Sequence, residues 1–358
     1  MILADFTEIL FQSTMKNFKY FNKTQLQKSV SLRNGETKLG EKIQFPENAF
    51  QQISEFLATT DAKFVVYGIK EFAGIKANFG KPGKKHSWDL FLPSFLNIQH
   101  NKLLKGYSIA VLGCFDYDDL SEEIERLDPS AEEDLNRLYQ IVSEIDKDIT
   151  YLNTLIHRSG KKPIVIGGGH NNAYGNIKGL ALAKGSAVNV VNFDAHTDFR
   201  ALEGRHSGNG FSYAFNEGFV DLYCAFGVHE NYLNKFMQQR FKDEWKKLKL
   251  FTFEEMKIRF EKDFASSINN VAKMMKQNFY GIEIDVDAIE NIASSAMSPS
   301  GFSVNEARQF VHSLGSHQNA SYLHLCEGSA SLSTLPENML GKLLSYLVSD
   351  FVKAQLNR

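Results

Sequence analysis

The chain has 358 residues, 43% of them hydrophobic and 23% charged, a balance that excludes a disordered chain, a collagen-like fibre or a coiled coil. At about 150 residues per domain, this length allows one to three domains and a large buried core. Forty Lys and Arg against 42 Asp and Glu leave a net charge of −2, so no global field draws the chain to nucleic acid or to an anionic membrane. No apolar run approaches the roughly 20 residues of a membrane span. The opening MILADFTEIL carries acids where a secretory signal carries positive charge. Cys114, Cys224 and Cys326 are scattered, each in or beside an apolar run, and read as buried thiols of a reducing compartment. The expectation is a soluble cytoplasmic protein with neither nucleic acid nor membrane as partner.

The first 60 residues are polar, with isolated aromatics and no clear strand. They read as an N-terminal helical and loop extension, residues 1–60, packed on a domain of residues 61–358. Strands are then expected at Lys63–Ile69, Tyr107–Gly113, Pro163–Gly167, Ala187–Phe193, Val220–Val228, Leu248–Phe253, Phe279–Val286 and Ser321–Cys326. Most are apolar on successive residues, the mark of strands covered on both faces. The acidic run Glu122–Glu133 reads as a solvated helix start. Helices are expected at Glu132–Arg158, Asn171–Ala183, Asn231–Lys247, Glu261–Gln277, Val304–Leu314 and Glu337–Gln355. Alternating strands and helices, without a Ser/Gly-rich linker, imply one α/β domain with a mainly parallel sheet of about eight strands.

Ligands of such sheets bind beyond the carboxyl ends of the strands. Four strands here run into polar residues at that edge: Gly168-Gly169-His170, Asp194-Ala195-His196-Thr197-Asp198, Asp285-Val286-Asp287, and Glu327. Singly, each has a bland explanation as a turn or a helix cap. Together they bring two His and four Asp to one edge, after strands too apolar to bury bare carboxylates. Such a set calls for cations, and six oxygen and imidazole ligands suit two divalent ions of the manganese type. Two such ions about 3.5–4 Å apart could share a water and lower its pKa.

In order and spacing, Gly-Gly-x-His, Asp-Ala-His-Thr-Asp and Asp-x-Asp resemble the ureohydrolase family of arginases, agmatinases, guanidino-acid hydrolases and formimidoylglutamases. The resemblance covers roughly residues 63–355. It implies a three-layer α/β/α arginase-like fold, two Mn2+ per chain and hydrolysis of an amidine or guanidine C–N bond. It implies one ion on His170, Asp194, Asp198 and Asp285, and a second on Asp194, His196, Asp285 and Asp287. Glu327 matches the acid that pairs with the amidinium or guanidinium, and Asp198 would relay a proton to the leaving nitrogen. A homo-oligomer is compatible with the resemblance.

The departures bear on substrate. The acid usual at position 169 is a glycine, and Phe211 stands where arginases carry a proton-shuttling histidine, a role His206 could take. The family's Asp-Pro after the last ligand is absent at Ala288-Ile289-Glu290-Asn291. Arg200 resembles the arginine that formimidoylglutamases have after this motif. A guanidinium suits a substrate carboxylate and would repel the amine of agmatine. Arg205, Ser207 and Asn209 follow and are expected to contact substrate. The glycines and basic run Lys84-Lys85-His86 near residues 74–86 match an entrance loop. The expected reaction is N-formimidoyl-L-glutamate plus water to L-glutamate and formamide. The alternatives are an arginase, agmatinase or other guanidino-acid hydrolase, and a metal-binding homologue with altered catalysis.

Overall fold

All eight expected strands form, and they lie in one sheet. The computed structural model describes residues 15–46, 53–83, 85–329, 336 and 338–356. The strands are β1 (Phe18–Tyr20), β2 (Phe64–Lys70), β3 (Ile109–Asp116), β4 (Lys162–Ile166), β5 (Val188–Phe193), β6 (Val220–Val228), β7 (Leu248–Thr252), β8 (Tyr280–Asp285) and β9 (Ala320–Cys326). Their order is β1-β3-β2-β4-β9-β8-β5-β6-β7. Every pairing is parallel except β1 with β3.

The ninth strand corrects the expectation of a strandless N-terminal extension. Phe18–Tyr20 pairs antiparallel with Gly113–Phe115 at the sheet margin. Three residues are too short to show a period, so the pattern is silent there. The pairing also needs a glycine: at Gly113, φ is +134° and a Cβ would stand 2.1 Å from the Lys19 carbonyl oxygen.

Alternation along the strands confirms a sheet covered on both faces. Phe64 and Val66 of β2 join a core containing Phe91, Phe95, Leu344 and Phe351, while Val65, Tyr67 and Ile69 join another containing Leu138, Ile141 and Ile145. The result is helix, sheet, helix, with apolar side chains in both seams.

Helix Glu132–Arg158 forms over the expected span. The acidic run is split: Glu132 and Glu133 open this helix, and Glu122, Glu123 and Glu125 do not belong to it. A separate helix, Asp118–Arg126, ends before Pro129, which restricts the residue ahead of it and breaks the run. Helix Ser87–Leu96 forms where none was expected, with Pro93 inside it. The C-terminal helix runs Asn338–Leu356. Among the described residues no helix is long and apolar enough to cross a membrane. Residues 1–14 and 47–52 of the extension, and Lys84 of the entrance loop, lie outside the described residues.

Candidate metal centre and substrate cleft

Strands β4, β9, β8 and β5 are consecutive neighbours in the middle of the sheet and all run parallel. Their carboxyl ends therefore deliver His170, Glu327, Asp285 and Asp194 to one place. After β4, Gly167 and Gly168 take φ of +92° and +71°, a turn only glycine adopts cheaply, which folds the chain back so that His170 faces the sheet edge. Glu71, in the loop after β2, clamps this turn. Its Oε1 accepts from the Gly169 N–H at 2.9 Å and from the Asn172 amide at 2.7 Å, and its Oε2 accepts from the Ala73 N–H at 2.7 Å.

The structure gathers all six expected ligands. His170 Nδ1 lies 2.8 Å from Asp198 Oδ2, 3.3 Å from Asp194 Oδ2 and 3.4 Å from Asp285 Oδ2. His196 Nδ1 lies 3.4 Å from Asp194 Oδ1. His170, Asp194, Asp198 and Asp285 each offer a ligand atom within 4.8 Å of the others, as do His196, Asp285 and Asp287. Asp285 belongs to both groups. The backbone fixes the carboxylates: Asp194 Oδ1 accepts from the His196 N–H at 2.7 Å, and Asp285 Oδ1 accepts from the Asp287 N–H at 2.8 Å.

The electrostatics are those of anions short of a counter-charge. Burial, then the neighbouring Asp287, pushes Asp285 well above the carboxylate range. Burial pushes Asp287 up to about 6 despite His196 beside it. Burial and the Asp287 charge push Glu327 up to about 8. Burial opposes charge on His196, but Asp194 and its fellow acids hold it up to about 10. Both buried nitrogens of His170 lack a partner in hydrogen-bonding geometry. A donor set of this composition, with an orphaned imidazole at its centre, fits divalent cations.

Glu327 and Asp198 carry a further mark. Both have left-handed backbones, at φ of +62° and +43°. Such a conformation is uncommon for residues with a Cβ, and Met15, Phe79, Phe260 and Asn291 share it elsewhere. Glu327 is held at both oxygens. Oε1 accepts from the His170 N–H at 2.7 Å, and Oε2 accepts from the Ser295 hydroxyl at 2.5 Å.

A cleft of about 470 Å³ opens over these acids. It is lined by Asp198, Asp285, Asp287 and Glu327, and by Asn78, His196, Arg200, Ser207, Tyr232, Asn234 and Ser295 among others. Its size is that of a small-ligand site. Arg200 is half exposed at the cleft, its Nη1 donating to Asn78 Oδ1 at 2.7 Å and its Nη2 lying 2.8 Å from Glu203 Oε1. Asn78 also donates to the Ser207 hydroxyl at 3.2 Å.

Two expected substrate contacts are corrected. Arg205 and Asn209 do not line the cleft. The buried Arg205 guanidinium pairs with Asp146 through Nε at 2.8 Å and Nη2 at 3.2 Å, and it donates to Asn209 Oδ1 at 2.7 Å and to the Asn171 carbonyl at 3.0 Å. Its plane sits between the rings of Tyr174 and Tyr213. These residues tie the Arg200 loop to the His170 turn. His206 is also buried, 3.1 Å from Glu203 and outside the cleft lining. Phe211 packs edge-on against the His170 ring at 5.0 Å, behind the donor set.

Sequence reasoning missed Glu71, Asn78, Ser295, Glu283 and His324. Glu71, Asn78 and Ser295 sit in loops with no spacing signal. Glu283 and His324 are polar residues inside apolar strands, and that oddity was the available clue.

Fold and site define a class of protein built around a parallel sheet with an acid-and-histidine centre at its carboxyl edge. The model of the Arginase family matches residues 82–338, and the chain belongs to that family. It is 32% identical over 202 residues to the formimidoylglutamase of Geobacillus thermodenitrificans, across 53% of this chain and 59% of that protein. It is 29% identical over 184 residues to the formimidoylglutamase of Streptococcus gordonii, across 49% of each. The matched stretch thus spans about half the length of these curated relatives. The fold is similar to that of Bacillus subtilis formimidoylglutamase, with a TM-score of 0.71 at 15% identity over 91% of this chain and 94% of that one. It is also similar to Trypanosoma cruzi formiminoglutamase with manganese, at a TM-score of 0.68 and 19% identity over 90% of this chain and 99% of that one.

Proposed function

We propose that this chain is a manganese-dependent hydrolase that converts N-formimidoyl-L-glutamate and water to L-glutamate and formamide. The observation carrying the reading is that one cleft holds both a convergent donor set with Glu327 and a guanidinium, Arg200, suited to a carboxylate. The names of the relatives in sequence and fold support the same substrate.

His170, Asp194, Asp198 and Asp285 would hold one ion, and Asp194, His196, Asp285 and Asp287 the other. Bound there, the ions supply a water nucleophile active near neutral pH and positive charge for the tetrahedral centre. Glu327 accepts the parallel N–H groups of the planar amidinium and fixes the carbon to be attacked. Arg200 pairs with a carboxylate at the far end of the substrate. Asp198, in the cleft lining, takes the proton released by the attacking water and passes it to the leaving glutamate nitrogen as the C–N bond breaks.

A substrate panel with manganese-loaded protein tests the reading. Formamide and glutamate are expected as products. Urea with ornithine or putrescine would overturn the substrate, and no product from any amidine or guanidine would overturn hydrolysis. Arg200→Ala should raise KM for the dicarboxylate about 10- to 100-fold, the range of a charge-assisted hydrogen bond, with kcat and metal content little changed. Arg200→Lys should recover part of this, since an ammonium lacks the planar fork.

The metal reading has a stability signature. In metal-free protein, Asp285, Asp287 and Glu327 bind protons more tightly than unfolded carboxylates, which titrate near pH 4. A folded state with extra protons loses stability as pH rises. The loss runs from about pH 4 through the folded values, about 6 for Asp287 and 8 for Glu327. His196, raised to about 10, adds loss in the same direction above its ordinary value. Metal takes the place of these protons. The rise in Tm on adding manganese should therefore grow from about pH 5.5 to 8, and a flat or shrinking increment would reject the assignment.

A further inference from the structure

Behind His170, on the side away from the cleft acids, lies a wholly buried polar cluster that the proposed reaction does not use. Glu283 precedes Asp285 by two residues on β8 and so shares its face of the sheet. His324 stands directly across from it on β9. Both are 0% exposed. His324 Nδ1 lies 2.6 Å from Glu283 Oε2, and its Nε2 lies 3.2 Å from the Gly167 carbonyl, the residue that opens the turn carrying His170. Both ring nitrogens of His324 thus face oxygen acceptors, which fixes the ring. The other carboxylate oxygen, Oε1, meets the Asn176 amide at 3.4 Å, and Asn176 is itself held by Asn153 at 2.8 Å.

The same Glu283 Oε2 lies 3.7 Å from His170 Nε2. That nitrogen is buried and has no hydrogen-bond partner. The opposite nitrogen, Nδ1, faces Asp198, Asp194 and Asp285. An imidazole that binds a cation through one nitrogen carries its proton on the other, and a carboxylate facing that proton fixes the tautomer and the ring plane.

We propose that Glu283, held in place by His324, is the positioning residue that orients His170 and thereby sets the affinity of the metal site His170 serves. The proposal rests on the metal reading above. It assigns to this chain a support drawn from two neighbouring strands: the acid from β8 and the histidine that locks it from β9.

Glu283→Gln keeps the shape and removes the acceptor charge. Manganese titration by calorimetry, with electron paramagnetic resonance to count free ion, should show two ions on the wild-type chain. In the variant, the ion on the His170 side should bind about 10- to 100-fold more weakly, the range for loss of a supporting carboxylate. The ion on the Asp287 side should be nearly unaffected. In a His170→Ala background, Glu283→Gln should add no further loss, because it acts through that ring; a general packing defect would add. His324→Asn places an amide donor near the old Nδ1 and should hold most of the affinity, whereas His324→Gln should not. Those two variants carry the test if Glu283→Gln does not fold. A folded Glu283→Gln chain that binds both ions as the wild type does overturns the positioning role alone. A wild-type chain that takes up no manganese overturns the metal reading and this proposal with it.

Discussion

Asp285→Ala is expected to strip the chain of both divalent ions and bring hydrolysis down to the uncatalysed background. Asp285 belongs to both groups of converging ligand atoms, the one around His170 and the one around His196, and Asp194 likewise reaches both histidines. Removing it takes a charge from each, and neither group keeps enough anionic oxygen to hold a divalent cation against water. Asp287→Ala should differ in kind: it touches one group only, so roughly one ion per chain should remain. Asp285→Asn is the matched control, since its side-chain oxygen still accepts from the Asp287 N–H and preserves the local turn. Metal analysis after manganese loading and gel filtration reads the result. Two ions retained by Asp285→Ala would sink the shared-ligand assignment.

Glu327→Gln should lower kcat as well as affinity, by about 10²- to 10³-fold in kcat/KM, the scale of a lost charge-stabilising contact. The substitution is nearly isosteric. Its oxygen can still accept from the His170 N–H, and its amide can donate to Ser295, so the loop should keep its shape. What is lost is the charge that aligns a planar cation. Both metals should remain bound, which separates this variant from Asp285→Ala. Steady-state kinetics together with metal content decide it, and an unchanged kcat/KM would remove Glu327 from the mechanism.

Much of the centre was legible because its residues sit where apolar strands end. β4, β5, β8 and β9 announce themselves as apolar runs, and each meets a polar residue at or shortly after its end; singly these read as turns or caps, and together they read as a donor set. The loops were less legible. Arg205, Ser207 and Asn209 follow the motif in one stretch, yet Arg205 and Asn209 turn inward to Asp146 and to the loop's own carbonyls while Ser207 lines the cleft. Nearness in sequence does not give the direction of a side chain in a loop without a period. Asn78 and Ser295 come from distant loops, and only the folded chain brings them to Arg200 and Glu327. Glu283 and His324 were visible as single polar residues in apolar strands, but their pairing depends on which strands become neighbours. Strand β1 escaped for want of length.

The left-handed backbones at Asp198 and Glu327 place the chain in conflict with itself. Conformational preference alone favours glycine at both positions, and at 327 it disfavours a long side chain such as Glu. Glycine at either would settle the fold more firmly and erase a carboxylate from the cleft. The strain is a cost to folding, and it falls on the two residues to which the proposed reaction gives contact with the substrate.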